Sequence, residues 1–255
     1  MDRDALPERG HKNLGSDDMI ATTSLKDAAK ASPRYSIENT YENPKAAAFR
    51  FRLRRFQQLK PMIDRIIAEK GHCRIADIGG TEYYWGIFSD YVNANPVEID
   101  LINLKAAPVQ NPRFKSLAGN ATDLKEIPDN TYDLVHSNSV IEHVGNWNAM
   151  LAMADNVRRL APCYFVQTPN FWFPYEPHFR APFFHWLPEP TRCALLMRFN
   201  LGFGGKRPTV HSAMRGLQSS NLLGKAQFQA LFPDATIVSE RTCGLTKSFM
   251  AVRGQ

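Results

Sequence analysis

The chain has 255 residues, and 44% of them are hydrophobic, which is enough for a sizeable core in one or two domains. Its formal net charge is +6, a surplus too small to mark a nucleic-acid binder unless it gathers on one face. No apolar run reaches the roughly 18–20 residues of a membrane span, and the first residues lack the apolar stretch of a signal peptide. Composition therefore favours a cytoplasmic, enzyme-sized domain with no transmembrane segment, and no DNA partner is expected.

The first part of the chain is polar and has no helical period. We expect residues 1–40 to form a flexible arm and residues 41–255 to form a single domain. Asn43-Pro44 is typical of a helix start. Apolar residues then recur at spacings of three and four, which predicts one buried helix face: Phe49, Leu53, Phe56, Leu59, Ile63, Ile66 and Ile67.

Two features qualify this helix. Pro61 should kink or divide it, because proline lacks the donor and clashes with the preceding turn. The opposite face carries Arg50, Arg54 and Arg55, which we expect to lie in solvent. The alternative is that these arginines flank a cleft for an anionic substrate.

From residue 73 onward, short strands alternate with helices. The predicted strands cover residues 73–78, 96–100, 113–117, 132–137 and 164–168, with helices at 82–91 and 147–161. Strands at 235–239 and 247–252, joined by a short turn, predict an antiparallel edge. This pattern argues for an α/β fold: a Rossmann-like, seven-stranded, mostly parallel sheet with an antiparallel last strand and helices on both faces.

The alternation is interrupted after the fifth strand for about 50 residues, far more than the usual connection. We assign residues 168–215 to an insertion or lid. Eight of the chain's 28 aromatic residues lie within residues 171–186, together with three prolines. This composition suits neither a helix nor an ordinary exposed loop, so it predicts a packed wall over a ligand cleft. The alternative is that residues 171–186 rest on a membrane surface, although the lack of a helical period argues against it.

The first predicted strand ends in Asp77-Ile78-Gly79-Gly80-Thr81, at the edge where open α/β sheets bind ligands. Glycines there let a ligand approach the backbone. The G-x-G-x-x-G spacing of a dinucleotide site is absent, which argues against a NAD-dependent dehydrogenase. A carboxylate two residues before the first glycine would repel a pyrophosphate and attract a cation. S-adenosylmethionine (SAM) provides one, in its ammonium and sulfonium groups.

This segment resembles the first motif of the class I SAM-dependent methyltransferases, [DE]-x-G-x-G, with Thr81 where the second glycine is usual and Gly80 displaced by one. The segment Gly119-Asn120-Ala121-Thr122-Asp123-Leu124 is similar to the family's G-D-A-x-x-L loop, with Asn120 in place of the acid that meets the adenine. Residues 130–144, which include Glu142-His143-Val144, closely resemble the fourth-strand motif S-F-D-x-V-x-S-x-x-V-x-E-H-V of the "type 11" group.

The resemblance implies SAM as the cofactor. We expect Asp100 to end the second strand, and its carboxylate can accept hydrogen bonds from both hydroxyls of a ribose. The predicted cofactor-binding residues are Asp77, Gly79, Gly80, Thr81, Asp100, Leu101, Asn120, Ala121, Ser137 and Asn138.

Methyl transfer from SAM is an in-line displacement at a carbon already activated by the positive sulfur, so the protein chiefly positions the acceptor and excludes water. A general base is needed only for a hydroxyl or a protonated amine. His143, which follows the fourth strand, is the first candidate catalytic residue, and Glu176 and His178 in the insertion are the others. For each, a purely structural role is the alternative. The spacing of Glu176, His178 and His185 does not establish a metal site, and none is expected.

The expected function is a SAM-dependent methyltransferase that acts on a small-molecule or glycan acceptor. One alternative is a nucleic-acid or protein methyltransferase, favoured by the positive charge and by Arg50, Arg52, Arg54 and Arg55. The other is a non-catalytic SAM-binding partner subunit, favoured by the altered glycine loop and by Asn120. The sequence does not indicate the acceptor atom or the oligomeric state.

Overall fold

The computed structural model describes residues 46–254, so the arm predicted at residues 1–40 and the helix start predicted at Asn43-Pro44 lie outside the described residues. The helices are α1 (Ala47–Lys70), α2 (Glu82–Gly86), α3 (Ser89–Ala94), α4 (Trp147–Leu160), α5 (Glu189–Arg198), α6 (Val210–Leu217) and α7 (Lys225–Leu231), with 3-10 turns at Ile141–His143 and Phe184–Trp186. The strands are β1 (Cys73–Ile78), β2 (Val97–Asn103), β3 (Phe114–Ala118), β4 (Leu134–Asn138), β5 (Cys163–Pro169), β6 (Tyr175–Glu176), β7 (Ala181–Pro182), β8 (Thr236–Thr242) and β9 (Leu245–Arg253).

Seven strands form one sheet in the order β3-β2-β1-β4-β5-β9-β8. The pairs from β3 to β5 are parallel, whereas β9 runs antiparallel to both of its neighbours, β5 and β8. The predicted α/β fold with an antiparallel last strand is therefore confirmed. The strand order reverses between β1 and β4, and the carboxyl ends of these strands form the edge where such sheets bind ligands.

Helices cover both faces of the sheet. On one face α4 and α7 bury residues such as Val157 and Phe228 against β4 and β5. On the other face α1, α2 and α3 bury Leu59, Trp85 and Val92 against β1 and β2. Because both faces are covered, most side chains of β1, β4 and β5 are buried. No helix between residues 46 and 254 is both long and apolar enough to cross a bilayer.

Helix α1 differs from the prediction in two respects. Pro61 does not divide it, because the ring lies on the exposed side, where water can bond the carbonyl that loses its partner. Arg55 is buried, with 5% of its surface exposed, rather than solvated. It lies four residues before Leu59 and seven before Met62, which places all three on the buried face of the helix.

The segment between β5 and α7 is a unit with its own small core. Its two ends pair with each other, since Asn170 forms a bridge with Leu223 and the Phe171 N–H donates to the Leu223 carbonyl at 3.0 Å. Inside it, α5 and α6 pack against each other and against the aromatic-rich residues 171–186 that precede them. The buried residues of this core are Phe179, Phe184, Cys193, Leu196, Ala213 and Leu217. We call residues 170–223 the inserted segment; it extends further along the chain than the predicted 168–215.

Candidate active site

The turn after β1 needs glycine at two positions. Gly79 has a φ of 75°, in the left-handed region, and a side chain there would overlap Val140. A Cβ on Gly80 would overlap the carboxylate of Asp77. Thr81 ends the turn and begins α2, since its hydroxyl accepts from the Tyr84 N–H at 3.3 Å. The sequence motif thus forms a tight turn at the carboxyl edge of the sheet.

Asp77 lies beneath this turn and not in the cleft. Its carboxyl group is 1% exposed; one oxygen lies 2.7 Å from Nδ1 of His136 and the other accepts from Nε1 of Trp85 at 2.6 Å. Both oxygens therefore have partners inside the fold. The side chain joins β1, β4 and α2, and the expectation that the Asp77 carboxylate faces a bound cation stays a prediction. His136 is a core histidine, as expected, stacked between the rings of Tyr84 and Phe165.

Asp100 is also turned inward, and the expectation that it ends the second strand is wrong. The strand continues for three more residues to Asn103, because Leu101 and Ile102 extend the apolar run. Asp100 is 2% exposed and accepts at 2.9 Å from both Arg74 and the Tyr132 hydroxyl. Leu101 is buried as well. The residue at the edge is Asn103, whose amide donates to the Gly80 carbonyl at 2.8 Å; only the length of the apolar run could have indicated it.

The other predicted cofactor residues lie at or just below the same edge. Asn120 is exposed, and its amide oxygen accepts from the Thr122 N–H at 3.1 Å and hydroxyl at 2.9 Å. Ala121 follows in the same loop. Ser137 is fully buried and donates to the Ile78 carbonyl at 3.0 Å, so it joins β4 to β1. Asn138 ends β4. The edge is thus lined by neutral amides and by the glycine turn.

Arg55 reaches this edge from α1, a contact that sequence reasoning missed. Its guanidinium donates to Glu240 through two nitrogens, at 3.0 and 2.6 Å, and to the amide oxygens of Asn138 at 2.8 Å and Gln167 at 3.1 Å. A buried, forked ion pair of this kind fixes geometry at the ends of β4 and β5. The available signal was the spacing of Arg55 from the apolar residues of the α1 face.

The three predicted catalytic residues are brought together by two loops. Glu176 lies on β6 of the inserted segment, is 1% exposed, and its Oε1 lies 2.7 Å from Nδ1 of His178; its other oxygen accepts from the Phe179 N–H. Nε2 of His178 lies 3.1 Å from Nε2 of His143. Nδ1 of His143 lies 2.7 Å from the Ser219 carbonyl oxygen.

Glu142 adds a buried carboxylate to this group. It is fully buried; Oε2 accepts from the Thr168 hydroxyl at 3.0 Å, while Oε1 has no hydrogen-bond partner among residues 46–254. Burial raises the pKa of the Glu142 carboxyl above its ordinary value, against the opposing charge of His143. Burial acts to lower the pKa of His178, but the hydrogen bond and charge of Glu176 outweigh it and raise that pKa.

The tautomers of the two histidines follow from their partners. A carbonyl oxygen only accepts hydrogen bonds, so Nδ1 of His143 must carry a proton, and the Glu176 carboxylate imposes the same on His178. In their neutral forms both rings then present an Nε2 lone pair, and these two nitrogens are the ones that face each other.

A cavity of about 440 Å³ adjoins this group. Glu176 lines it, as do His185 and Arg192 from the inserted segment and Asn146 from the start of α4. Nε2 of His185 lies 2.6 Å from the Phe171 carbonyl, which leaves Nδ1 as an acceptor. Within the described part of the chain, that Nδ1 and the Nε of Arg192 are buried without a partner. The cavity wall therefore includes an imidazole and a guanidinium, while these two atoms themselves are shielded from the cavity.

Comparisons with known proteins give one family match and a set of structures with a similar fold. Residues 79–162 match a family model described as a methyltransferase domain, and no curated protein matches the chain. The structure is similar to that of a SAM-dependent methyltransferase from Archaeoglobus fulgidus, with 12% identity, a TM-score of 0.49, and coverage of 85% of this chain and 97% of that one.

Two further solved structures are similar at lower scores. One is 1,6-didemethyltoxoflavin-N1-methyltransferase of Burkholderia thailandensis, with 14% identity, a TM-score of 0.42 and coverage of 76% of each chain. The other is a candidate sarcosine dimethylglycine methyltransferase from Galdieria sulphuraria, with 16% identity, a TM-score of 0.45 and coverage of 76% of this chain. The match spans 64% of the Galdieria protein, less than two thirds of its length.

Proposed function

We propose that the chain is a class I SAM-dependent methyltransferase that methylates a small polar molecule, a sugar-like acceptor included, bound in the cavity beside Glu176. The observation that carries the proposal is the group Glu176–His178–His143. It joins the loop after β4 to the inserted segment after β5 and borders a cavity lined by the polar side chains of His185 and Arg192. The cytoplasmic location expected from composition stays a prediction.

The residues at the carboxyl edge fit SAM through neutral groups. When bound, SAM supplies an electrophilic methyl group on a positively charged sulfur. The turn at Gly79 and Gly80 lets a ligand lie against the backbone. The amides of Asn103, Asn120 and Asn138 offer oxygens and N–H groups suited to ribose hydroxyls and the adenine amino group. Asp77 and Asp100 would hold the walls of this site, since each accepts two hydrogen bonds from the fold.

The cavity supports a small acceptor. Its volume of about 440 Å³ falls in the range of sites for small molecules. His185 and Arg192 bring an imidazole and a guanidinium to the cavity wall, and such groups bond hydroxyl and carboxyl oxygens. These complementary groups favour an acceptor that carries several hydroxyl or carboxyl oxygens.

Glu176, His178 and His143 are proposed to activate the nucleophile of the acceptor. Glu176 accepts from Nδ1 of His178, which orients Nε2 of that ring toward His143. His143 is exposed, so an acceptor can reach it. The inserted segment, which supplies Glu176 and His178, would also exclude water from the reacting atoms.

The test uses the full chain, methyl-labelled SAM and a small-metabolite fraction of a cell extract. We expect saturable S-adenosylhomocysteine binding by calorimetry, and label that appears in small molecules. Glu176→Gln should reduce transfer at least tenfold without a change in S-adenosylhomocysteine affinity. Glu126→Gln, an exposed glutamate outside the site, is the matched control.

Two results would overturn the proposal. One is transfer of label to protein or RNA in place of small molecules. The other is cofactor binding without transfer to any fraction, which would identify a non-catalytic subunit.

A further inference from the structure

We propose that Glu142, His143 and His178 form a site for a divalent transition-metal ion of the zinc class. The three ligand atoms, one from each side chain, all lie within 4.8 Å of one another. Two imidazoles and a carboxylate are a common protein ligand set for catalytic zinc, which leaves one position open. This site was not expected from sequence, because Glu142 and His143 lie far from His178 along the chain.

The geometry of the two histidines is the first argument. Their Nε2 atoms are 3.1 Å apart, and both carry lone pairs in the neutral tautomers that Ser219 and Glu176 impose. Two lone pairs at that distance repel each other unless something positive lies between them. Two nitrogen ligands of a tetrahedral zinc ion, each about 2.05 Å from the metal, are separated by about 3.3 Å. The observed pair is thus close to a ligating arrangement already.

Glu142 is the second, independent argument. Its side chain is fully buried, and Oε1 has no hydrogen-bond partner among residues 46–254. A buried carboxylate with an unbonded oxygen is costly, and buried charges are normally paired or bound to a metal. A cation between Glu142 and the two imidazoles would satisfy this oxygen and both nitrogens together.

The surrounding bonds match those that support metal ligands. A ligating histidine usually donates its second N–H to a carboxylate or a backbone carbonyl, and a ligating carboxylate is itself hydrogen-bonded. Here Glu176 accepts from His178, the Ser219 carbonyl accepts from His143, and Thr168 donates to Glu142. Each of the three side chains is therefore oriented by a partner that does not compete for the ion.

The site also indicates a substrate class, a step that rests on the proposed methyl transfer, whereas ion binding itself does not. His143 is exposed, and Glu176 lines the neighbouring cavity. An oxygen of the acceptor can occupy the open position, and a bound zinc ion lowers the pKa of such an oxygen. The acceptor is therefore inferred to carry a hydroxyl group that can reach the open position.

The experiment measures Zn²⁺ binding to the full chain after removal of metal with a chelator. A Cys243→Ser background excludes binding at the exposed thiol. Calorimetry with Zn²⁺ should give one ion per chain, and Co²⁺ should give visible absorption bands of a low-symmetry nitrogen–oxygen site. His143→Ala and Glu142→Gln should weaken Zn²⁺ binding at least a hundredfold, and Glu176→Gln about tenfold to a hundredfold. His211→Ala, at an exposed histidine outside the group, should have no effect.

The outcomes separate the two proposals. Equal Zn²⁺ affinity in the wild type and His143→Ala, or no stoichiometric binding, would overturn the metal site, and the facing nitrogens would then share a proton. His143→Ala removes an exposed side chain, so this result does not depend on whether Glu142→Gln folds. S-adenosylhomocysteine binding is measured on the same samples. If it fails while Zn²⁺ binding holds, the methyl-transfer proposal fails and the metal site stands.

Discussion

The buried acidic residues in the two halves of the carboxyl edge of the sheet differ in their hydrogen bonding. In the β1–β2 half, Asp77 and Asp100 are buried, and each accepts two hydrogen bonds from the fold. In the β4–β5 half, Glu142 keeps an oxygen without a partner among residues 46–254, and two histidine nitrogens face each other. Two hydrogen bonds from the fold hold each of these aspartates in place, whereas a buried carboxylate with a single side-chain partner beside a cleft favours a ligand. Acidic residues of both kinds occur in the sequence motifs, and the motifs alone do not tell a structural carboxylate from a ligand-binding one.

The largest effect is expected at Asp77. The Asp77→Ala substitution leaves the buried Trp85 N–H and a nitrogen of His136 without a partner, so it should lower the free energy of unfolding by about 3 kcal/mol or more. Urea unfolding followed by circular dichroism measures this. Asp123→Ala, at a residue whose side chain is 60% exposed, should change it by less than about 0.5 kcal/mol. If Asp77→Ala left stability unchanged and abolished only SAM binding, the carboxylate would belong to the cleft after all.

A smaller loss is expected at the glycine turn. In Gly80→Ala the new methyl group overlaps an Asp77 carboxylate that two hydrogen bonds hold in place. We expect a loss of about 1–3 kcal/mol in the free energy of unfolding. Gly86→Ala is the matched control: it ends α2 with nothing within 4 Å of the added methyl group. It should be neutral or stabilise by up to about 1 kcal/mol. Equal effects at the two glycines would contradict a rigid Asp77.

A change of opposite sign in the free energy of unfolding is expected for a substitution in the β4–β5 half. Glu142→Gln removes a buried charge and keeps an oxygen that can accept from Thr168. In metal-free protein it should leave the melting temperature unchanged or raise it, with a gain of up to about 1 kcal/mol in the free energy of unfolding. Such gains are common where a site is strained for function. Differential scanning calorimetry with a chelator present tests this. A loss as large as that of Asp77→Ala would show that Glu142 is structural, and the contrast between the two halves would disappear.

The smallest effect concerns Lys247 on β9, next to Arg55. Burial and the charge of Arg55 lower the pKa of Lys247 to about 8, against the attraction of Glu240; the charge of Arg52 also lowers it. The folded chain then binds fewer protons than the unfolded chain between pH 8 and the ordinary lysine value of 10.5. Stability attributable to Lys247 should therefore rise with pH in that window. Melting curves at pH 7 and pH 9 should differ less for Lys247→Met than for the wild type; an identical difference would contradict the lowered pKa.

Sequence alone supported the strand alternation, the antiparallel edge and the choice of His143, Glu176 and His178 as separate candidates near the ligand edge. That the three side chains meet was not predicted, because it depends on how the inserted segment folds back over the loop after β4. The direction of the Asp77 side chain could not be predicted, because it is set by partners 8 and 59 residues away. Asp100 was misplaced because nothing in the run through Ile102 marks the strand end, and a shift along a strand changes which side chains reach the edge.

The paired ends of the inserted segment have a consequence for how this protein can change over evolutionary time. Asn170 and Leu223 lie side by side, so the chain leaves the sheet and returns to it at one point. The residues between them have a core of their own. Another segment with similarly close ends can therefore replace this one by recombination without altering β5, α7 or the strand order. The inserted segment is thus a replaceable module, while the carboxyl edge is inherited with the sheet.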